Sequence, residues 1–190
     1  MNVIMPRALI VYASSHGQTR AIAHRIAKSL SAHAFSVVIA DTGDPVHLPA
    51  PTGFDLVIVG SRIQFGRHSS SVIAYLHQYR AELATTATAF FSVSMAAANG
   101  GDDPNGYLAT MFESIGWRPA LTAAIGGALK YRRYNFILRF VMKRIALAAG
   151  HSTDTSRDHE YTDWTRVDRF ADQALALCHH ETAQTTRAAN

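Results

Sequence analysis

Residues 8–12 are apolar and run into a small polar stretch, Ser14-Ser15-His16-Gly17-Gln18-Thr19, beyond which apolar residues return at helical spacing. A buried strand that passes through hydroxyls and a glycine into a helix constrains the chain more than any other feature. It gathers backbone N–H groups, side-chain O–H groups and the positive end of a helix dipole at one point, which suits a phosphate. The stretch lacks the Lys of a nucleoside-triphosphate loop and the spaced glycines of a dinucleotide fingerprint. An ordinary strand–turn–helix with N-capping hydroxyls explains the same residues.

The alternation continues along the chain. Strand patterns fall at 8–12, 36–40, 56–60, 88–94 and 121–126. Ile22, Ile26, Ala27 and Leu30 line one helical face between them, Val72, Tyr75, Leu76 and Tyr79 a second, and Leu108, Met111, Phe112 and Ile115 a third. A last face carries Trp164, Val167, Phe170, Ala171, Ala174 and Leu175, with Thr162 or Asp163 as its N-cap. Strands interleaved with helices predict an α/β fold: a doubly wound, five-stranded parallel sheet with helices on both faces. Ligands of such sheets lie beyond the carboxyl ends of the strands, near the point where strand order reverses. The loops after the first, third and fourth strands, 14–19, 61–68 and 92–106, are therefore where chemistry should collect.

The second of these loops holds Gly60, Ser61, Arg62, Ile63, Phe65, Gly66, Arg67 and His68. Phe65 can stack on a flat ring or plug the loop from below. Arg62 and Arg67 bring positive charge to the rim, and His68 is a candidate proton acceptor because His titrates near neutral pH. The third loop follows Phe90 and holds Ser92, Val93, Ser94, Met95 and Ala96. Its small residues let backbone donors and acceptors face the edge of a ligand.

A chain of 190 residues, 48% hydrophobic and 17% charged, fits one globular domain. The domain is expected over 6–178, including an insertion at 130–157, with a flexible tail over 179–190. No apolar run reaches membrane-spanning length and no cleavable signal is evident. The single cysteine, Cys178, excludes an internal disulfide, and the histidines show no metal-ligand spacing. The net charge of +4 favours an anionic substrate or an anionic membrane surface, since no nucleic-acid motif accompanies it. A homo-oligomer is compatible with the sequence.

A late segment departs from a minimal sheet domain. After Gly126-Gly-Ala-Leu-Lys-Tyr-Arg-Arg-Tyr134, residues 135–149 have a broad apolar helical arc beside a basic stripe of Arg132, Arg139 and Lys143. A core helix with a solvated edge, a membrane-surface helix and a clamp for carboxylates all fit it. Arg62, Arg67, Arg132 and Arg133 are the candidates for pairing with substrate carboxylates.

Ser-x-x-Gly-x-Thr after the first strand resembles the flavodoxin phosphate loop. Together with Gly-Ser-Arg-Ile-Gln-Phe-Gly (60–66), Phe-Phe-Ser-Val-Ser (90–94), Trp-Arg-Pro (117–119), Gly-Gly-Ala-Leu-Lys-Tyr (126–131), Thr-Asp-Thr (153–155) and Tyr-Thr-Asp-Trp (161–164), it resembles the flavodoxin-like, menaquinone-dependent protoporphyrinogen IX dehydrogenases. The resemblance implies noncovalent FMN held by residues 14–19 and flanked by Ser61 to Gly66 and Phe90 to Ala96. It implies oxidation of protoporphyrinogen IX to protoporphyrin IX in three two-electron steps. Menaquinone or ubiquinone would be the acceptor, at the cytoplasmic face of the membrane. Two other readings stay open: a flavodoxin-like electron carrier for a protein partner, and an FMN-dependent NAD(P)H:quinone reductase.

Overall fold

The computed structural model describes residues 5–129, 144, 147 and 159–188. The expected basic helix at 135–149, Arg132 and Arg133 therefore lie outside the described residues, apart from positions 144 and 147.

Strand β1 (Arg7–Ala13) is buried on both faces beyond its first residue, as a central parallel strand must be. It pairs in parallel with β2 (Ser36–Asp41) on one side and β3 (Leu56–Gln64) on the other. Strands β5 (Ala87–Ser94) and β6 (Leu121–Gly126) extend the sheet beyond β3, giving the order β2-β1-β3-β5-β6. Strand order thus reverses between β1 and β3, where a crevice opens. Strand β4 (Arg67–His68) folds back antiparallel on β3.

Alternate side chains on each strand feed two cores. Ile10, Ile58 and Phe91 face α1 (Gln18–Ala32) and α5 (Trp164–Ala188), packing with Ile22, Ile26, Val167 and Phe170. Leu9, Val11, Val59 and Phe90 face α2 (Ser70–Gln78) and α4 (Tyr107–Ile115), packing with Val72, Leu76, Leu108 and Phe112. The short α3 (Arg80–Leu83) contributes Leu83 to the second core. Apart from Tyr79, which caps α2, and half-buried Trp164, the apolar residues expected on the helix faces of the described residues are buried.

Two sequence expectations are corrected. The third strand does not end at Gly60 but continues to Gln64, because the antiparallel pairs Ile63 with His68 and Gln64 with Arg67 prolong it. The residues read as a second loop are thus largely a hairpin. The last helix runs to Ala188. Asp163 caps that helix, its Oδ1 accepting from the N–H groups of Thr165 at 2.9 Å and Arg166 at 3.1 Å, while Thr162 is engaged elsewhere.

Candidate functional site

The register of the sheet brings three loops to one edge. Ala13 pairs with Ser61, Ser61 with Ser92 and Ser94 with Gly126. Beyond these residues lies an open cleft. Its walls come from four segments.

Ser14, Ser15, His16, Gln18 and Thr19 form the first wall. Ser14 Oγ accepts a hydrogen bond from the Gly17 N–H at 3.1 Å and closes the turn. Gly17 is the N-cap of α1 at φ 89°, a conformation that a side chain would strain. No side chain caps α1, and its first turn holds no acidic residue. The Thr19 side chain is buried at the cleft. A helix start with no side-chain cap and hydroxyl side chains beside it fits a phosphate.

Arg62, Ile63 and Gln64 form the second wall, on the prolonged β3. The hairpin turns through Phe65 and Gly66 at φ 51° and 74°, the two positive values that a tight two-residue hairpin needs. Phe65 is 68% exposed at the tip. Arg67 is exposed behind it. Ser61 is fully buried, its Oγ accepting from the Ser69 N–H at 3.1 Å and donating to the Arg62 carbonyl at 3.1 Å. It secures the hairpin base and is not among the cleft's lining residues.

Val93, Ser94 and Met95 form the third wall. Ser94 Oγ accepts from the Ala97 N–H at 3.1 Å and shapes the turn. Phe90 and Ser92 are buried in the strand below, and Ala96 lies just past the wall in a short 3-10 turn.

Gly127 and Ala128 form the fourth wall, which the sequence reading did not include. They belong to a small ribbon in which β7 (Ala128–Leu129) pairs antiparallel with β8 (His159–Glu160). The ribbon is where the chain leaves for residue 130 and returns at 159. Gln18 ties it to the first wall. Its Nε2 donates to Glu160 Oε1 at 3.0 Å and Thr162 Oγ1 at 2.8 Å, and Thr162 Oγ1 donates to the Gly126 carbonyl at 2.7 Å. A Cβ on Gly126 would lie 2.4 Å from the Tyr161 carbonyl oxygen, so only glycine lets the two segments approach.

The candidate proton acceptor His68 lies off the cleft, 8% exposed and edge-on to Phe90 at 5.6 Å between ring centroids. Neither ring nitrogen finds a hydrogen-bond partner among the described residues. Burial pulls its pKa down to about 4, against smaller opposing effects from the Asp103 charge and the Tyr107 backbone. It is neutral and weakly basic near pH 7.

Sequence alone missed Gln64, Gly127, Ala128, Glu160 and Thr162. The Gly126-Gly127 pair was the one available signal, since adjacent glycines at a strand end mark close backbone approach.

A flavodoxin-domain family model matches residues 9–156. The protoporphyrinogen IX dehydrogenase (quinone) of Leishmania major is 32% identical over 178 residues, 90% of this chain and 76% of its own. The protein of the same name from Escherichia coli strain K12 is 30% identical over 174 residues, 90% of this chain and 96% of its own. Among solved structures, rubredoxin oxygen:oxidoreductase from Desulfovibrio gigas aligns over 91% of this chain and 37% of its own with a TM-score of 0.51 and 15% identity, a likeness of fold alone. With a domain model covering most of its length and relatives 30–32% identical over 90% of it, the chain belongs to the flavodoxin-domain family and, within it, to the quinone-dependent protoporphyrinogen IX dehydrogenases.

Proposed function

We propose that the cleft holds FMN and that the protein oxidises protoporphyrinogen IX to protoporphyrin IX with a quinone as acceptor. The observation that carries this reading is the identity of 30–32% to dehydrogenases of that name across 90% of the chain. The uncapped start of α1 supports the cofactor assignment independently. Overall, the substrate gives up six hydrogens as three hydride and three proton equivalents, and three quinones become three quinols. When bound, FMN supplies the two-electron chemistry of each step.

The chain's own residues bind and orient. In this reading the Ser15 and Thr19 hydroxyls and the first-turn N–H groups of α1 hold the phosphate. Each hydrogen bond to a charged group contributes about 1.5–3 kcal/mol, so a few suffice without an arginine at that point. The backbone and small side chains of Val93, Ser94 and Met95 meet the edge of the ring system. Phe65 covers its face from the hairpin tip. Arg62 at the cleft wall and Arg67 on β4 pair with substrate propionates, for which the planar guanidinium fork is suited. His68 is given no part in proton transfer, because a base with a pKa of about 4 is poorly matched to neutral pH.

The reading includes peripheral contact with an anionic membrane, because quinones dissolve in the bilayer and the chain carries a net charge of +4. No helix among the described residues is long and apolar enough to cross a membrane. The test is anaerobic incubation of the purified protein with FMN, protoporphyrinogen IX and a menaquinone analogue. Porphyrin fluorescence should rise only when protein, FMN and quinone are all present. A rate equal to that of the protein-free mixture overturns the proposal.

A further inference from the structure

We propose that Gln18, Glu160 and Thr162 form a positioning clasp through which FMN binding and docking of the β7–β8 ribbon stabilise each other. The inference rests on the FMN reading above and assigns these residues a role distinct from contact with the cofactor.

Gln18 is the first residue of α1 and lines the cleft. Its side-chain amide is nonetheless committed away from the loop. Both Nε2 hydrogens are used, one by Glu160 and one by Thr162, across 142 and 144 residues of chain. Thr162 passes the link to the Gly126 carbonyl. The backbone completes the circuit, with the Tyr161 N–H on the Gly127 carbonyl and the Gly127 N–H on the Ser94 carbonyl, each at 3.0 Å. Gln18 is only 8% exposed, so water replaces these bonds poorly when they break. An anion that fixes the first turn of α1 fixes the amide, and the docked ribbon fixes the same turn. Linkage makes the effect reciprocal.

The sign of one substitution separates this from simple electrostatics. Removing the Glu160 charge near the phosphate site should tighten FMN binding if charge alone matters. The clasp requires the opposite. FMN is titrated by flavin fluorescence into the full-length protein and into Glu160→Ala, Thr162→Val and Thr162→Ser. Hydrogen exchange of the Tyr161 amide is followed with and without FMN. Glu160→Ala and Thr162→Val should each weaken binding about five- to tenfold, and Thr162→Ser should retain it. FMN should slow Tyr161 exchange in the wild type and do so less in Thr162→Val. Unchanged or tighter binding in either Glu160→Ala or Thr162→Val overturns the clasp, as does Tyr161 exchange indifferent to FMN in the wild type. A wild type that takes up no FMN overturns the flavin reading itself, and the clasp with it.

Discussion

The cleft has two antiparallel flanks, the β3–β4 hairpin and the β7–β8 ribbon, and they are built in opposite ways. The hairpin is local. Its paired residues are close in sequence, its turn forces Phe65 into a left-handed conformation, and its base buries a histidine with no hydrogen-bond partner for either nitrogen among the described residues. The ribbon is assembled from distant chain segments, and its link to α1 uses both amide hydrogens of Gln18 and the hydroxyl of Thr162. A turn folds whatever the rest of the chain does, so it can carry strain. A contact that closes a long loop must be favourable in detail, or the entropy of closure prevails. One flank is thus suited to yield and the other to hold.

The largest expected effect comes from breaking the flank that holds. A methyl group at position 126 would meet the Tyr161 carbonyl oxygen at 2.4 Å and the Ala98 Cα at 3.1 Å, both of them backbone atoms. Gly126→Ala should cost about 3 kcal/mol in urea unfolding, the upper range for overpacking. In the hairpin, the atoms nearest to the methyl of Gly66→Ala would all belong to the Tyr107 side chain, at 3.5–3.8 Å, which is ordinary contact. Its cost should be that of the left-handed backbone, about 1 kcal/mol. Equal losses in the two variants would mean that the ribbon gives way as readily as the turn.

His68 gives the second effect, which is read through pH. In the unfolded chain its pKa is about 6.5, and in the folded protein burial lowers it to about 4. Between those values the unfolded state binds a proton that the native state refuses. Its contribution to stability is therefore complete above about pH 6.5 and is lost as pH falls toward 4. The loss should reach roughly 2–3 kcal/mol relative to His68→Leu, which has no proton to take up. Denaturation curves of the two proteins that stay parallel from pH 7 to 4 would remove the buried histidine as a weak point of the hairpin.

How much of this was legible in the sequence follows the same division. The parallel sheet, the helix faces and the strand–loop–helix junction at 14–19 were read from local patterns, because periodicity and such a junction are properties of neighbouring residues. The apolar stripe of Ile22, Ile26, Ala27 and Leu30 could have only one buried face. The extension of β3 to Gln64 was missed because Arg62, Gln64 and Arg67 read as a polar loop until their antiparallel pairing is seen. The ribbon wall was missed for a stronger reason. Gln18 reads as a loop residue and Thr162 as a helix cap, and nothing local says that they share a hydrogen bond over 144 residues.

Phe65 supplies the smallest effect and the sharpest use of the comparison. At φ 51° a branched or aromatic residue is disfavoured, whereas asparagine tolerates the left-handed region well. Because the ring is 68% exposed, its removal sacrifices little burial. Phe65→Asn should therefore raise stability by about 1 kcal/mol. If the ring covers the flavin as proposed, the same substitution should weaken FMN about three- to tenfold, the equivalent of one aromatic stacking contact. The opposite signs matter more than the sizes. A residue kept in a strained turn for packing would lose stability when replaced, and one kept there for the ligand would lose only affinity. Thermal melts without FMN and titrations with it separate the two, and a variant that loses stability in the apo melt would return Phe65 to the role of a plug beneath its loop.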